Sequence, residues 1–366
     1  MYLDRLSLIN YKNIEELEIE LSPRINCFIG NNGMGKTNLL DAVYYLSFCK
    51  SYFSTTDLQN IRHEAPFMVL QGTYVRKEQT ELVYCGVKRG QKKHFKRNRK
   101  EYKKLSEHIG LLPIVMVSPA DGRLITDGSD ERRKFMDGVI SQYDRKYLDD
   151  LIRYNRVLAQ RNKLLKDFAK GRKYDEEMLI IWDEQLIQLG TGIYEKRVDF
   201  LNQLTPVFQE YYEIISGGNE KVKLEYRSQL HGQDLQNLLL GARLKDQVLQ
   251  YTTVGIHKDD LELKIGDYPI KKMGSQGQKK TYLIALKLAQ FDFIKRINGF
   301  KPILLLDDIF DKLDAERVEQ IVRLVSEDRF GQIFISDTNR DHLNEILSGS
   351  ALEYKLFTIH RGAIQN

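Results

Sequence analysis

The chain has 366 residues, room for two domains at about 150 residues each, and its 42% hydrophobic content can fill more than one core. With 29% charged residues and no apolar run near the ~18–20 residues of a bilayer span, a membrane-embedded chain is excluded. Met1 to Arg5 show no secretory pattern, and Cys27, Cys49 and Cys85 lack the spacing of a zinc site or a disulfide scaffold, so a soluble, cytoplasmic protein is expected.

In chain order, Tyr2–Ile9 and Leu17–Leu21 alternate apolar and polar residues as half-buried strands do, and Ile25–Ile29 is a third strand that runs straight into Gly30. A helix period follows from Thr37 through Leu39, Leu40, Val43, Tyr44 and Leu46. Residues 67 to about 104 read as a β-meander closing in a basic hairpin with Asn98-Arg99 at its turn, and Ile114–Val117 is a short apolar strand stopped by Ser118-Pro119. From Glu131 to about Ile215 the chain is helical in period and heavily charged. A strand at 221–226, a helix at 234–248 and a strand at 260–265 precede an alternation of helix (282–297), strand (303–306), helix (315–325) and strand (332–336). The expected fold is therefore α/β, with a head in two parts, 1–120 and 220–366, and a helical lobe inserted at 121–219.

The sharpest motif is Gly30-Asn31-Asn32-Gly33-Met34-Gly35-Lys36-Thr37, which fits G-x-x-x-x-G-K-[ST] between a strand and a helix. Glycines let successive amides turn toward phosphates, and the helix N-terminus adds partial positive charge. Gly30, Asn31, Asn32, Gly33, Met34, Gly35, Lys36, Thr37 and the next residue, Asn38, are the candidate ATP-binding set, with Lys36 reaching the β- and γ-phosphates and the Thr37 hydroxyl ligating Mg²⁺. Ile303-Leu304-Leu305-Leu306 ends in Asp307-Asp308, a strand fit for a sheet covered on both faces, with carboxylates where ligands bind such sheets. Asp307 is the candidate second Mg²⁺ ligand. Asp308, with Lys36, is the candidate catalytic group, orienting or deprotonating the attacking water.

Ser275-Gln276-Gly277-Gln278 precedes a helix expected near Thr281, and resembles the signature segment of ABC-type ATPases. That resemblance adds Ser275, Gly277 and Gln278 to the nucleotide-binding set, closing on the γ-phosphate held by a second copy, with Asp311-Lys312-Leu313-Asp314 at the D-loop position. An ordinary helix N-cap is the other reading of the same residues. Eight basic residues, Lys92, Lys93, Lys96, Arg97, Arg99, Lys100, Lys103 and Lys104, lie around Phe95 and Tyr102; both a phosphate-backbone contact and a solvated hairpin suit them. Arg132 and Arg133 suit either DNA or a structural ion pair, and the basic run Arg161–Lys173 reads as a solvated helix face.

The order of these motifs, with Asn10-Tyr11-Lys12-Asn13, Ser118-Pro119, Arg132-Arg133-Lys134-Phe135-Met136-Asp137 and Thr253–Asp260, resembles the RecF family of bacterial recombination mediators over nearly the whole chain. The resemblance implies an ABC-type P-loop ATPase head of mixed sheets and helices, an ATP-dependent homodimer, and weak, DNA-stimulated ATP hydrolysis. It further implies binding to double-stranded, gapped and junction DNA, partners RecR and RecO, and help in loading the strand-exchange recombinase. A transporter motor subunit and the head of a chromosome-structuring SMC-like ATPase are the alternatives. Ser336-Asp337 stands where a transporter has its switch histidine, and the insert is far too short for coiled-coil arms.

Overall fold

The computed structural model describes residues 1–366 except 172–175, 219, 311–312, 327–328, 339–352 and 366. The chain divides into two compact units: Met1–Gly122 with Glu210–Asn219 and Ser275–Asn366, and Arg123–Gln209 with Glu220–Gly274.

In the first unit, β1 (Tyr2–Tyr11) and β2 (Ile14–Glu20) form a hairpin, and β3 (Ile25–Ile29) leads into α1 (Lys36–Phe48). The long strands β4 (Phe67–Arg76) and β5 (Gln79–Lys88) and the short β6 (His94–Arg97) and β7 (Lys100–Glu101) make up the expected meander. The turn between β6 and β7 places Asn98 and Arg99 at φ 48° and 67°, the paired left-handed conformation of a two-residue hairpin. β8 (Ile114–Val117) completes the N-terminal part.

The second unit holds the short α2 (Arg123–Thr126), then α3 (Ser129–Ile140), α4 (Arg145–Ala169) and α5 (Glu176–Ser216) as far as Gln209; β9 (Val222–Arg227) and α6 (Leu235–Leu249) follow, then β10 (Asp260–Ile265), β11 (Tyr268–Pro269) and α7 (Ile270–Met273). Its strands form an antiparallel sheet in the order β11-β10-β9. The expected division returned the chain to the head at 220; the structure assigns Glu210–Asn219 to the first unit, Glu220–Gly274 to the second, and the chain to the first again from Ser275. The reason is the pairing of β9 with β10 across Val222–Arg227 and Asp260–Ile265, which draws residues 220–274 into the second unit. This unit also buries charge. Arg161, fully buried, donates to Asp183 (2.6 Å), Asp246 (2.7 Å) and Thr252 (2.9 Å). Arg197 binds Asp137 (2.9 Å) and Asp259 (3.2 Å). Arg132 forks onto Asp260 at 2.6 and 2.9 Å, and Arg133 pairs with Asp130. The solvated-face expectation for the 161–173 run therefore fails at Arg161; Lys163, Lys166 and Lys170 are exposed, and Arg172 and Lys173 lie outside the described residues. Arg132 and Arg133 are structural ion pairs.

The first unit resumes with α8 (Gln276–Asn298), β12 (Ile303–Asp307), α9 (Ala315–Ser326), β13 (Ile333–Asp337), β14 (Tyr354–His360) and β15 (Ala363–Gln365). Among the described residues it has two six-stranded sheets. The antiparallel one runs β2-β1-β4-β5-β6-β7; the other runs β15-β14-β3-β13-β12-β8, parallel from β14 to β8. β8, β12 and β13 are buried along their whole length, which explains their unbroken apolar runs. α1 packs on β1 and β4 of the antiparallel sheet and on β12 and β13 of the parallel one, and correspondingly buries Leu39, Leu40, Val43, Tyr45 and Leu46. The buried Gln332 side chain joins the sheets: its Oε1 accepts from Leu3 N–H (2.7 Å), and its Nε2 donates to Leu3 C=O (2.7 Å) and Ser22 C=O (2.8 Å).

Candidate functional site

Three parallel neighbours, β3, β13 and β12, bring their carboxyl ends side by side, since Ile29 is in register with Asp337 and Asp307 with Ser336. The Gly30–Gly35 loop leaves β3 there. Gly30, Gly33 and Gly35 take φ of 155°, 79° and 112°. At Gly30 a side chain is sterically barred as well, because a Cβ would fall 2.4 Å from the Ile359 carbonyl oxygen. The loop is braced from outside: Met34 C=O accepts from Gly362 N–H (2.8 Å) and from Asn13 Nδ2 (3.3 Å), and Asn38 Nδ2 donates to Asn13 Oδ1 (2.7 Å). Asn31, Asn32 and Gly33 are exposed at its tip. Lys36 folds back beneath the loop, 4% exposed, with Nζ donating to Gly30 C=O (2.6 Å) and Asn31 C=O (3.2 Å).

Thr37 and Asp307 meet. The Thr37 hydroxyl donates to Asp307 Oδ1 at 2.9 Å, Ser336 donates to the same oxygen at 2.6 Å, and Ser118 donates to Oδ2 at 3.3 Å. Burial raises the Asp307 pKa above the ordinary aspartate value; these three hydroxyls and the charge of Lys36 oppose the rise. Asp308 follows in a left-handed turn (φ 45°), its N–H donating to the Ser336 carbonyl and hydroxyl oxygens, both at 3.2 Å. Its pKa too is raised, first by burial and then by the charge of Asp307, with Lys36 and Lys280 opposing. Among the described residues there is no cluster of His, Cys, Asp and Glu suited to a metal. The oxygen set of Thr37, Asp307, Ser118 and Ser336 nevertheless has the hard-donor chemistry of a Mg²⁺ site completed by water and phosphate.

Ser275, Gly277 and Gln278 come together at the start of α8, which begins at Gln276 rather than near Thr281. Gln278 N–H donates to Ser275 Oγ (3.2 Å) and Ser275 N–H to Gln278 Oε1 (2.7 Å), a reciprocal capping box. The cap removes the helix-breaking effect of Ser-Gln-Gly, and so the helix starts earlier than its apolar period does. At Gly277 a Cβ would lie 2.8 Å from the Arg317 guanidinium, and Arg317 pairs with Asp314 at 3.4 Å. Asp311 and Lys312 lie outside the described residues. In the first turn of α8, Lys280 Nζ reaches the Asp308 carbonyl oxygen at 3.3 Å.

The basic hairpin divides. Lys93 is turned inward onto Asp57 (2.8 Å) and the Cys49 carbonyl (2.7 Å), and Arg97 forks onto Glu81 at 2.7 and 2.9 Å. Lys92, Arg99, Lys100, Lys103 and Lys104 are exposed. The roles of Ser118 and Ser336 at Asp307 were not foreseen from the sequence. The one available signal for Ser118 was its position at the end of a parallel strand.

A loop of this form between a parallel strand and a helix, facing adjacent carboxylates, on a unit of one parallel and one antiparallel sheet, defines an ABC-type ATPase head. The family model "RecF/RecN/SMC N terminal domain" matches residues 2–360. A DNA replication and repair protein RecF from Phocaeicola vulgatus is 58% identical over 366 residues, spanning 100% of this chain and 98% of that protein. Among solved structures, the recombination mediator protein RecF with ATP, in the RecFOR pathway, superposes with a TM-score of 0.89 at 29% identity, covering 100% of this chain and 97% of that one. The Smc head domain derived from Pyrococcus furiosus shares the fold, with a TM-score of 0.58 at 18% identity over 100% of this chain and 95% of that one. The chain belongs to the RecF family.

Proposed function

We propose that this chain is an ATP-dependent DNA-binding protein of recombinational repair and replication-fork maintenance, an ATPase that dimerises when it binds ATP. The observation that carries the reading is the bond from the Thr37 hydroxyl to Asp307 (2.9 Å), made beside the Gly30–Lys36 loop and ahead of Asp308. The names of the full-length relative and of the ATP-bound RecF neighbour support it.

In this reading the amides of Gly30–Thr37 and the N-terminus of α1 receive the phosphates. Lys36 exchanges its bonds to Gly30 and Asn31 carbonyls for bonds to the β- and γ-phosphate oxygens. Thr37 and Asp307 hold Mg²⁺, which when bound supplies charge neutralisation to the phosphate oxygens. Asp308, with its proton affinity raised by burial and by Asp307, orients the attacking water and accepts its proton. Ser275, Gly277 and Gln278 of a second copy close on the γ-phosphate. Because those contacts exist only in the closed pair, ATP shifts the population toward the dimer, and hydrolysis reopens it.

The exposed Lys92, Arg99, Lys100, Lys103 and Lys104 supply a phosphate-backbone contact for double-stranded, gapped or junction DNA, read by charge and shape. DNA-stimulated, slow turnover in the cytoplasm and cooperation with RecR and RecO in loading the recombinase complete the proposal. The transporter-motor and chromosome-head alternatives are not favoured. Sedimentation with and without ATP and Mg²⁺, and ATP turnover without DNA or with single-stranded, duplex or junction DNA at low salt, test it. The expectation is a dimer only with ATP and faster turnover with a duplex-containing DNA. An oligomeric state blind to ATP, together with turnover blind to every DNA, would overturn it.

A further inference from the structure

The first unit buries a charged cluster that the proposed reaction does not use. Asp121 and Lys287 are 3% and 6% exposed and pair at 2.8 Å. The Tyr52 hydroxyl donates to Asp121, and Lys287 Nζ donates to that hydroxyl at 3.3 Å. The other Asp121 oxygen accepts from Ser118 N–H at 2.8 Å, and Asp121 N–H closes the turn by donating to Ser118 C=O at 2.9 Å. The cluster thereby fixes the residue whose hydroxyl reaches Asp307.

Lys287 stands on α8 among Ile284, Leu286 and Leu288, all buried. Apolar side chains in place of both Asp121 and Lys287 would serve stability as well or better, because desolvating two charges cancels most of their attraction. What the pair adds is a fixed position for the Ser118–Asp121 turn relative to α8. Lys287 lies twelve residues along the helix from Ser275, about 18 Å at 1.5 Å per residue, so the two move as parts of one rigid rod.

We propose that Tyr52, Asp121 and Lys287 are positioning residues that tie the seating of the Ser275 end of α8 to the Ser118–Asp307 contact, so that closure on a second copy and cation loading at Thr37–Asp307 favour one another. The proposal rests on the reading of Gly30–Thr37 as a nucleotide site and Ser275 as a contact made in trans. Linkage is reciprocal: if the cation strengthens the dimer, closure strengthens cation binding.

The test uses the full chain, a non-hydrolysable ATP analogue and a Mg²⁺ titration, with dimerisation followed by sedimentation. In the wild type, Mg²⁺ should tighten the analogue-driven dimer by at least about fivefold, the low end of couplings between linked sites. Lys287→Met should keep its cation-free affinity for the analogue yet lose most of that Mg²⁺ effect, and Lys287→Arg should restore it. Tyr52→Phe loosens the same path without leaving a buried charge unpaired, and decides the matter if Lys287→Met does not fold. A purely structural cluster would lower the melting temperature and leave the Mg²⁺ effect intact in both variants; that result, or a wild-type dimer indifferent to Mg²⁺, overturns the proposal. A wild type that fails to bind the analogue would instead overturn the proposed function.

Discussion

Lys36→Ala separates the energetics of the phosphate loop from those of the fold. In the free chain Lys36 donates to two carbonyls of its own loop, at 2.6 and 3.2 Å, from a nearly buried position. Charge-assisted bonds of this kind contribute about 1.5–3 kcal/mol each, but removing a buried ammonium also removes its desolvation cost. The unliganded melting temperature should therefore move little. With nucleotide bound the lost partner is a phosphate, and truncating one side of a desolvated charge pair costs about 2–5 kcal/mol. At the lower figure, affinity falls about thirtyfold. A thermal melt with ATP at about 100 times the wild-type Kd stabilises the wild type by about 2.7 kcal/mol, or roughly 5–10 °C. The same concentration is only about three Kd for the variant, leaving about 0.9 kcal/mol, or roughly 2–3 °C. An ATP-induced shift equal to that of the wild type would refute the placement of Lys36 on the phosphates.

Other outcomes follow from the same geometry. Ser275→Arg should bind ATP normally and fail to dimerise, read by sedimentation with a non-hydrolysable analogue; an intact dimer would remove Ser275 from the trans contact. Asp308→Asn should hold a long-lived ATP dimer with turnover down by at least about a hundredfold, measured by phosphate release. Because burial and Asp307 raise the Asp308 pKa above 3.8, its ionisation disfavours the fold: the penalty is absent below that value and is complete once pH exceeds the raised one. Asp308→Asn should accordingly raise the unliganded melting temperature at pH 7 and leave it unchanged near pH 3, by calorimetry. Arg161→Met leaves Asp183 and Asp246 facing each other without their shared cation, and should cost about 3–5 kcal/mol in urea denaturation, whereas Lys166→Met, exposed on the same helix, should cost less than about 0.5 kcal/mol.

What was legible in the sequence was local. The phosphate loop, the strand ending in Asp307-Asp308 and the Ser275–Gln278 segment each announce themselves within eight residues, because backbone conformation and helix termini are set by neighbours. The partners of charged side chains were not legible. Lys93, Arg97 and Arg161 look alike in sequence to Lys100 or Lys166, but bonds to Asp57 and Asp183 take Lys93 and Arg161 largely out of solvent, and a fork onto Glu81 engages the half-buried Arg97. The same holds for Ser118, which lies 189 residues from the Asp307 it touches, and for the return of the chain to the first unit at Ser275. The strand read at 221–226 carries no mark of its partner in the sequence; its pairing with β10 across Val222–Arg227 is what assigns it to the second unit.

The placing of β3 has a consequence for synthesis. Its two neighbours are β13 (Ile333–Asp337) and β14 (Tyr354–His360), and the Gly362 amide holds Met34. A ribosome that has released the first two hundred residues has delivered the phosphate-loop sequence without the strands that shape it. Acquisition of the nucleotide site is thus deferred until residues 354–362 have been made, and such long-range closure is intrinsically slow.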